Sequence, residues 1–293
     1  MSETRFRLEI RRLCPGDDEA TERFLVRHAD SSVFLRANLR QAGLAYGGNP
    51  FEGVYVGAFC GKHLTGIAAH YWNGVLILQA PEHAGALARA AAAESGRIVE
   101  GLIGPWAQVC AARTALDAAE WLTSLDSKEV LMRLSLSELR PPTALAESAL
   151  LCRRSRDGDL PWLADWRMAY LAESLGETDT PANRAKHLPM LERTHSEGDL
   201  FILEDGDRAV STCSFNAPAG DTVQIGGVWT PPELRSRGYA QAVVAGALLT
   251  ARDRGIATAV LFTGEGNIAA LRAYQKIGFT PVGDYGLVFF CDA

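Results

Sequence analysis

Two stretches of the chain carry short apolar runs broken at turn residues, the pattern of an antiparallel meander. The first is VYVGAFCGKHLTGIAAHYWNGVLILQ, residues 54–79, with turns at Gly61-Lys62 and Asn73-Gly74. The second is LFILEDGDRAVSTCSFNAPAGDTVQIGGVWT, residues 200–230, with turns at Asp205-Gly206 and Ala219-Gly220-Asp221. An alanine-rich helical run follows each, HAGALARAAAAESG and YAQAVVAGALLTARDRG. Each run ends at a glycine, Gly96 or Gly255, which suits a helix C-terminus. An apolar strand is predicted next, from Ile98 and from Ile256, and then a second helix, CAARTALDAAEWL or IAALRAYQKIG. Helices also precede both meanders, in DDEATERFLVRHA and in LPWLADWRMAYLAESLG. The apolar positions of the latter, Leu163, Trp166, Met168, Tyr170 and Leu171, read mostly as core.

The same order of elements recurs at a spacing of roughly 150 residues, which predicts two copies of one domain. The expected division is 1–145 and 146–293, with the join near SELRPPTALAES, where Pro141-Pro142 break the pattern and a new strand starts within 147–152. A length of 293 residues accommodates two ordinary cores. Antiparallel strands, a strand–helix–strand crossover, and a closing helix and strand describe a mixed sheet flanked by helices, α/β in class.

Composition narrows the partners. Hydrophobic content of 47% and charged content of 22% are those of a globular protein. A net charge of -6 supplies no basic field, so no nucleic-acid partner is expected. No apolar run reaches the roughly 18–20 residues of a membrane span. The start, MSETRFRLEIRRL, lacks the apolar core of a signal peptide, so no membrane partner and a cytoplasmic location are expected. The cysteines at 14, 60, 110, 152, 213 and 291 form no C-x-x-C pair and attract no histidine cluster. They read as reduced, mostly buried thiols, with no metal site.

The segment PPELRSRGYAQA, residues 231–242, joins the second meander to its helix. Pro231 and Pro232 cannot donate ladder hydrogen bonds, so the strand ending in GVWT stops there and leaves backbone groups unpaired. The helix start offers free N–H groups and a partial positive charge, together a seat for an anion such as pyrophosphate. Arg235 and Arg237 add charge, and Gly238 permits close backbone approach. On these residues alone, solvated arginines flanking an ordinary loop glycine are the commoner reading.

Arg235-Ser236-Arg237-Gly238-Tyr239-Ala240 resembles the acetyl-CoA-binding motif [QR]-x-x-G-x-[GA] of the GNAT acyltransferase superfamily. The resemblance covers roughly residues 150–290, including the strand before the motif and the small-residue helix after it. It implies two GNAT-like domains, each a mostly antiparallel sheet flanked by helices. By resemblance the strand end Val228-Trp229-Thr230 holds the pantetheine arm of acetyl-CoA, with Val228 and Thr230 facing it, and Arg235 through Ala240 hold the phosphates. TGEGNIAALRAYQKIGF is similar to a second motif of that family, an Asn, a helix carrying Tyr, then Gly-Phe. Asn267 can cap this helix and Gly278 can end it. Seven residues separate Asn267 from Tyr274, which places them near one helix face. A phenol with a pKa of about 10 stays protonated at neutral pH and can serve as a general acid. The resemblance makes Tyr274 the acid that protonates the departing CoA thiolate, and Asn267 a cofactor contact.

The first half departs from the motif. Its turn, PEHAGALARA, has Glu82 near the place of Arg235, and no basic residue before Arg89. Its later helix offers Leu116 at the place that a gapless comparison gives Tyr274. By resemblance this is a degenerate copy without a cofactor site, shaping the acceptor cleft or supporting the other domain.

The expected activity is transfer of an acetyl group from acetyl-CoA to a primary amine of a small molecule or peptide, with no metal. Glu173, Glu177, His187 and His195 are candidates for the base. A longer-chain acyl-CoA:amino-acid N-acyltransferase and a non-catalytic acyl-CoA-binding protein are the alternatives. A homodimer is compatible with the sequence.

Overall fold

The computed structural model describes residues 8–291, so the first seven residues of MSETRFRLEIRRL lie outside the described residues. The first half runs β1 (Leu8–Arg12), α1 (Asp18–Val26), α2 (Val33–Ala42), β2 (Gly53–Cys60), β3 (His63–Tyr71), β4 (Val75–Gln79), α3 (Ala84–Ser95), β5 (Gly101–Pro105), α4 (Trp106–Ala115) and β6 (Thr123–Ser135). After the short α5 (Thr143–Ala146) the order repeats as β7 (Leu150–Arg154), α6 (Leu160–Leu175), α7 (Pro181–Ser196), β8 (Leu200–Asp205), β9 (Arg208–Ala219), β10 (Thr222–Trp229), α8 (Tyr239–Asp253), β11 (Thr258–Gly264), α9 (Ile268–Lys276) and β12 (Thr280–Phe290).

Both meanders turn where expected, because Gly61 (φ 63°) and Gly206 (φ 60°) supply the left-handed conformation that tight turns need. The expected strand starts at Ile98 and Ile256 are early. Ile98 is 80% exposed, and pairing with the parallel neighbour begins only at Gly101 and Thr258. The helix expected in CAARTALDAAEWL instead begins at Trp106, directly behind Pro105.

The chain forms two compact units, Met1–Leu131 with Val282–Ala293, and Met132–Pro281. They differ from a consecutive division at 145/146. Hydrogen bonding along a sheet, not chain order, decides where a closing strand belongs. In the first unit the sheet order is β1-β2-β3-β4-β5-β12, and β12 lies antiparallel to β5 from Tyr285↔Pro105 to Phe289↔Gly101. In the second it is β6-β11-β10-β9-β8-β7, and the place beside β11 is taken by β6, whose residues from Met132 belong to this unit. The strand following α9 therefore completes the first unit's sheet, while the strand following α4 lies beside β11. In each unit the meander is antiparallel and the crossover pair, β4·β5 or β10·β11, is parallel. The expected mixed α/β sheet flanked by helices is the architecture of both.

Each unit buries apolar side chains on its sheet. In the first, Leu76, Leu78 and Leu102 pack with Leu87, Ala88 and Ala91 of α3, and Tyr55, Ile67 and Ile77 pack with Phe24, Leu35 and Leu39 of α1 and α2. In the second, Leu200 and Ile202 meet Leu163 of α6 and Leu191 of α7. Strand period 2 turns the intervening Phe201 away, toward Phe215 and Arg254 at the end of α8. Helix α8 comes so close to β7 that a Cβ on Gly246 would stand 2.3 Å from that of Cys152.

An ion pair repeats with the fold. Arg11 of β1 grips Asp17 through both terminal nitrogens at 2.8 Å, and Arg153 of β7 grips Asp159 at 2.6 and 3.1 Å, each Asp six residues on. Each carboxylate also accepts a backbone N–H, from Cys14 or Arg156. The hydrogen bonds from Arg11 hold the Asp17 carboxyl down at about 2.

The cysteines correct one expectation. Cys14, Cys60, Cys110 and Cys291 are exposed, Cys152 is half-buried, and only Cys213 is buried. The exposed four lie at strand ends, on an outer helix face or in loops, where no second layer covers them. All six are free thiols. Among the described residues no helix is long and apolar enough to cross a membrane.

Candidate functional site

The second unit opens along β10. This strand pairs with β11 only from Thr222↔Thr258 to Gln224↔Val260, then continues to Trp229 without that partner. On its other side the register with β9 shifts between Gly226 and Trp229. Gly227 adopts φ +57° there, so the strand bulges and re-aims its backbone groups. Asn216 lies directly over Gly226, where any Cβ would stand 1.8 Å from Nδ2. Pro231 then ends the strand.

Beyond it the chain enters α8 through two left-handed residues, Ser236 (φ +64°) and Gly238 (φ +81°), the latter the helix N-cap. A serine with positive φ is strained, a cost typical of sites where geometry is fixed for a ligand. The first amides of α8 have no intrahelical acceptor. A Cβ on Gly238 would meet nothing within 4 Å, so the glycine answers to backbone conformation and leaves its outer side open.

Not every residue of the motif turns toward this opening. The Thr230 hydroxyl lies 2.9 Å from Ser211 Oγ, and Ser211 Oγ donates to the Trp229 carbonyl at 2.9 Å. The Thr230 carbonyl accepts from Arg235 Nε at 3.0 Å. Arg235 lies over the Trp229 ring at 5.0 Å and pairs with Glu173 at 2.7 Å, so here it ties the loop to β10 and α6. The Tyr239 hydroxyl donates to Asp205, which holds that phenol above its ordinary value. Val228 is half-buried, Ala240 lies in the first turn of α8, and Arg237 is exposed. Asn267 caps α9, its Oδ1 accepting from the Ala270 N–H at 3.1 Å.

Tyr274 is 7% exposed and packs edge-on to Phe279, with ring centroids 6.1 Å apart. Burial, with the electrostatic neighbourhood of Tyr170 and Cys213, pushes its phenol far above the ordinary value. Gly278 (φ +111°) follows, where a Cβ would stand 2.9 Å from the Glu138 carbonyl.

A cleft of about 470 Å³, its mouth included, lies beside the β10 bulge. Helix α6 contributes Leu163, Trp166, Arg167 and Tyr170, and α7 contributes Met190, Leu191 and Thr194. The sheet side is Leu200, Thr212, Ser214, Asn216, Gly227 and Trp229. Trp166 and Tyr170 thus line an opening, whereas Leu163, Met168 and Leu171 are buried, Leu163 beneath the cleft floor. A 3.6-residue period marks an apolar face without saying whether it meets a core or a cleft. Arg167 and Asn216 also line the cleft, and neither is among the residues singled out from the sequence. The available signal is Arg167 inside the apolar stripe of its own helix.

Of the candidate bases, Glu173 is held by Arg235. His195 bonds Ser155 at 2.7 Å and Asp157 at 2.9 Å, on the side of β7. His187 and Glu177 form a pair at 2.5 Å, one turn before the cleft residues of α7.

The corresponding crossover of the first unit is filled. The amide of Ala80, just past β4, donates to Gln108 Oε1 at 2.6 Å. A Cβ on Gly104 would stand 2.7 Å from the Leu78 carbonyl, so β4 and β5 stay in contact beyond their paired residues. His83 (φ +62°) occupies the N-cap of α3. Counted from the N-cap of α4, the place of Tyr274 falls on buried Ala112 rather than on Leu116, the C-cap.

Residues 163–279 match the sequence model described as the Acetyltransferase (GNAT) family. No curated protein sequence matches the chain at a significant level. Among solved structures, a Drosophila protein is similar with a TM-score of 0.66 at 14% identity, over 96% of this chain and 98% of that one. A GCN5-related N-acetyltransferase from Sphaerobacter thermophilus gives 0.58 at 16%, over 96% and 94%. A tandem GNAT protein from the clavulanic acid biosynthesis pathway gives 0.54 at 11%, over 97% and 98%. At such identities these structures speak to fold alone, which is that of two GNAT-like domains. In sequence, then, residues 163–279 of the second unit match the acetyltransferase (GNAT) family, and in fold the chain is similar to tandem GNAT proteins.

Proposed function

We propose that the second unit is an N-acetyltransferase that moves the acetyl group of acetyl-CoA to a primary amine, and that the first is a degenerate copy without a cofactor site. The observation that carries this reading is the strand β10, unpaired past Gln224, running into the left-handed entry of α8. The residues fit the cosubstrate. Backbone groups of Gly227 and Val228, which lie past the paired residues on both sides of β10, are placed to hold the pantetheine, and the amides of Ser236–Ala240, with exposed Arg237, to hold the pyrophosphate. Thr230, Trp229 and Arg235 support that surface from behind, and Arg235 reaches phosphate only by releasing Glu173. Asn267 retains Nδ2 for a contact.

In this reading the amine attacks the thioester carbonyl, a C–N bond forms, and the C–S bond breaks as the tetrahedral oxyanion collapses. The thiolate takes the proton of the Tyr274 hydroxyl, and the second proton, which the attacking nitrogen sheds on becoming an amide, restores the phenol by way of solvent. Burial suits that role, because a phenol held well above 10 is protonated at every physiological pH. The ammonium of the acceptor must lose a proton before attack, and the Glu177–His187 pair beside the cleft is the relay best placed to take it.

A non-catalytic acyl-CoA sensor has no use for a buried phenol at this place. The decisive experiment follows CoA release with acetyl-CoA and a panel of amines. Release that depends on Tyr274 supports the enzyme, whereas tight acetyl-CoA binding without release from any amine favours the sensor.

A further inference from the structure

Among the described residues that line the cleft, Arg167 is the one cation, and it has no counter-ion. Arg167 Nε is fully buried and has no hydrogen-bond partner. Among the described residues Arg167 forms no ion pair; its guanidinium lies 5.4 Å from the ring centre of Tyr170. Nη1 stands 3.5 Å from the point a Cβ on Gly227 would occupy, against the bulge of β10. The acid that acts on it electrostatically, Glu177, is engaged by His187. Burying a guanidinium without an anion is costly, and proteins normally supply the partner. Here the cleft is open where that partner would stand.

We propose that Arg167 receives a carboxylate of the acceptor, so that the acceptor is an amine carrying one carboxylate and an apolar body, the chemistry of an apolar amino acid. The proposal rests on the acyltransfer reading for the identity of the amine as acceptor. The guanidinium fork matches a planar carboxylate through two parallel N–H···O bonds. Ser214, whose Oγ stands 3.1 Å from the point a Cβ on Gly227 would occupy, and Asn216, whose Nδ2 lies over Gly226, are further polar groups beside the bulge. The other walls, Leu163, Trp166, Met190, Leu191 and Trp229, suit an apolar side chain. A single positive charge selects a monoanion, because a phosphonate dianion would bring a charge that nothing in the cleft balances. Seated on Arg167, the acceptor lies against the same bulged strand whose other edge borders the proposed thioester site.

The test compares leucine or phenylalanine with its methyl ester and with the matching aminophosphonate, read by CoA release. The free acid is expected to exceed the ester in kcat/KM by roughly tenfold to a hundredfold, as for a charge-assisted contact. In Arg167→Gln that preference should collapse toward one, with the loss in KM. Arg167→Lys, a point charge without the fork, should retain only part of it. The melting temperature of Arg167→Gln should not fall, since an unpaired buried charge is removed, whereas a structural arginine would lower it. Equal rates for acid and ester, or a preference for the phosphonate, overturn the proposal, and both are measured on the unaltered protein. If no amine releases CoA, the acyltransfer reading fails, and calorimetry with the free amino acid still decides the carboxylate site. Binding weakened at least tenfold by Arg167→Gln upholds it, and absence of binding overturns it.

Discussion

The crossovers of the two units start from the same plan and end differently. Both pair their parallel strands over three residues, Val75–Ile77 with Gly101–Ile103 and Thr222–Gln224 with Thr258–Val260. Both enter the following helix through a left-handed N-cap, His83 or Gly238. In the first unit, Gln108 takes the amide past the strand end and Leu78 rests on Gly104. Helix α3 presses on α4 so closely that a Cβ on Gly85 would stand 2.7 Å from that of Ala115. In the second, β10 runs on past its partner, bulges at Gly227, and leaves the outer side of Gly238 open. In the proposed reading, a shared scaffold therefore does not entail a shared site. What decides is whether side chains fill the gap between the diverging strands.

The largest expected effect concerns the acid. Tyr274→Phe should lower kcat by roughly 10²- to 10⁴-fold with acetyl-CoA affinity nearly unchanged, measured by steady-state kinetics and calorimetry. Turnover at the wild-type rate would remove Tyr274 from the reaction and level the two units in chemistry. Next comes the helix entry. Gly238→Val places a branched side chain at φ +81° and over the open amides, so acetyl-CoA affinity should fall tenfold or more. His83→Val, at the equivalent cap, should leave that affinity as it was.

The pH profile is the third test. A general acid must be protonated to act, and the shift of Tyr274 is upward, so its loss moves to higher pH. No fall in kcat attributable to it should occur below about pH 10. A basic limb near pH 8 that Tyr274→Phe abolishes would contradict this burial. The smallest effect belongs to Arg235. Its exposed pair with Glu173 is weak, so Glu173→Gln should change acetyl-CoA affinity only a few-fold, toward tighter binding, as Arg235 is released to the phosphates.

Much of the scaffold was legible because local chemistry fixes it. Gly61 and Gly206 mark turns that only positive φ allows, Gly96 ends α3, and Asn267 caps α9. The start of α8 at Gly238 was legible for the same reason. Long-range choices were not. Nothing in the composition of β12 says that it pairs with β5, because any strand of suitable period satisfies a free sheet edge. The cleft escaped the sequence for a related reason, since Trp166 and Tyr170 have the spacing of core residues. The repeated Arg–Asp grip, Arg11 with Asp17 and Arg153 with Asp159, was the clearest internal sign of duplication, and it lay outside the meanders that revealed the repeat.

The central claim is that one of the two crossovers holds acetyl-CoA. Calorimetric titration of the full chain measures it most directly. One site per chain is expected, weakened tenfold or more by Gly238→Val and unaffected by His83→Val. Two sites per chain, or one that answers to His83 and not to Gly238, would contradict it.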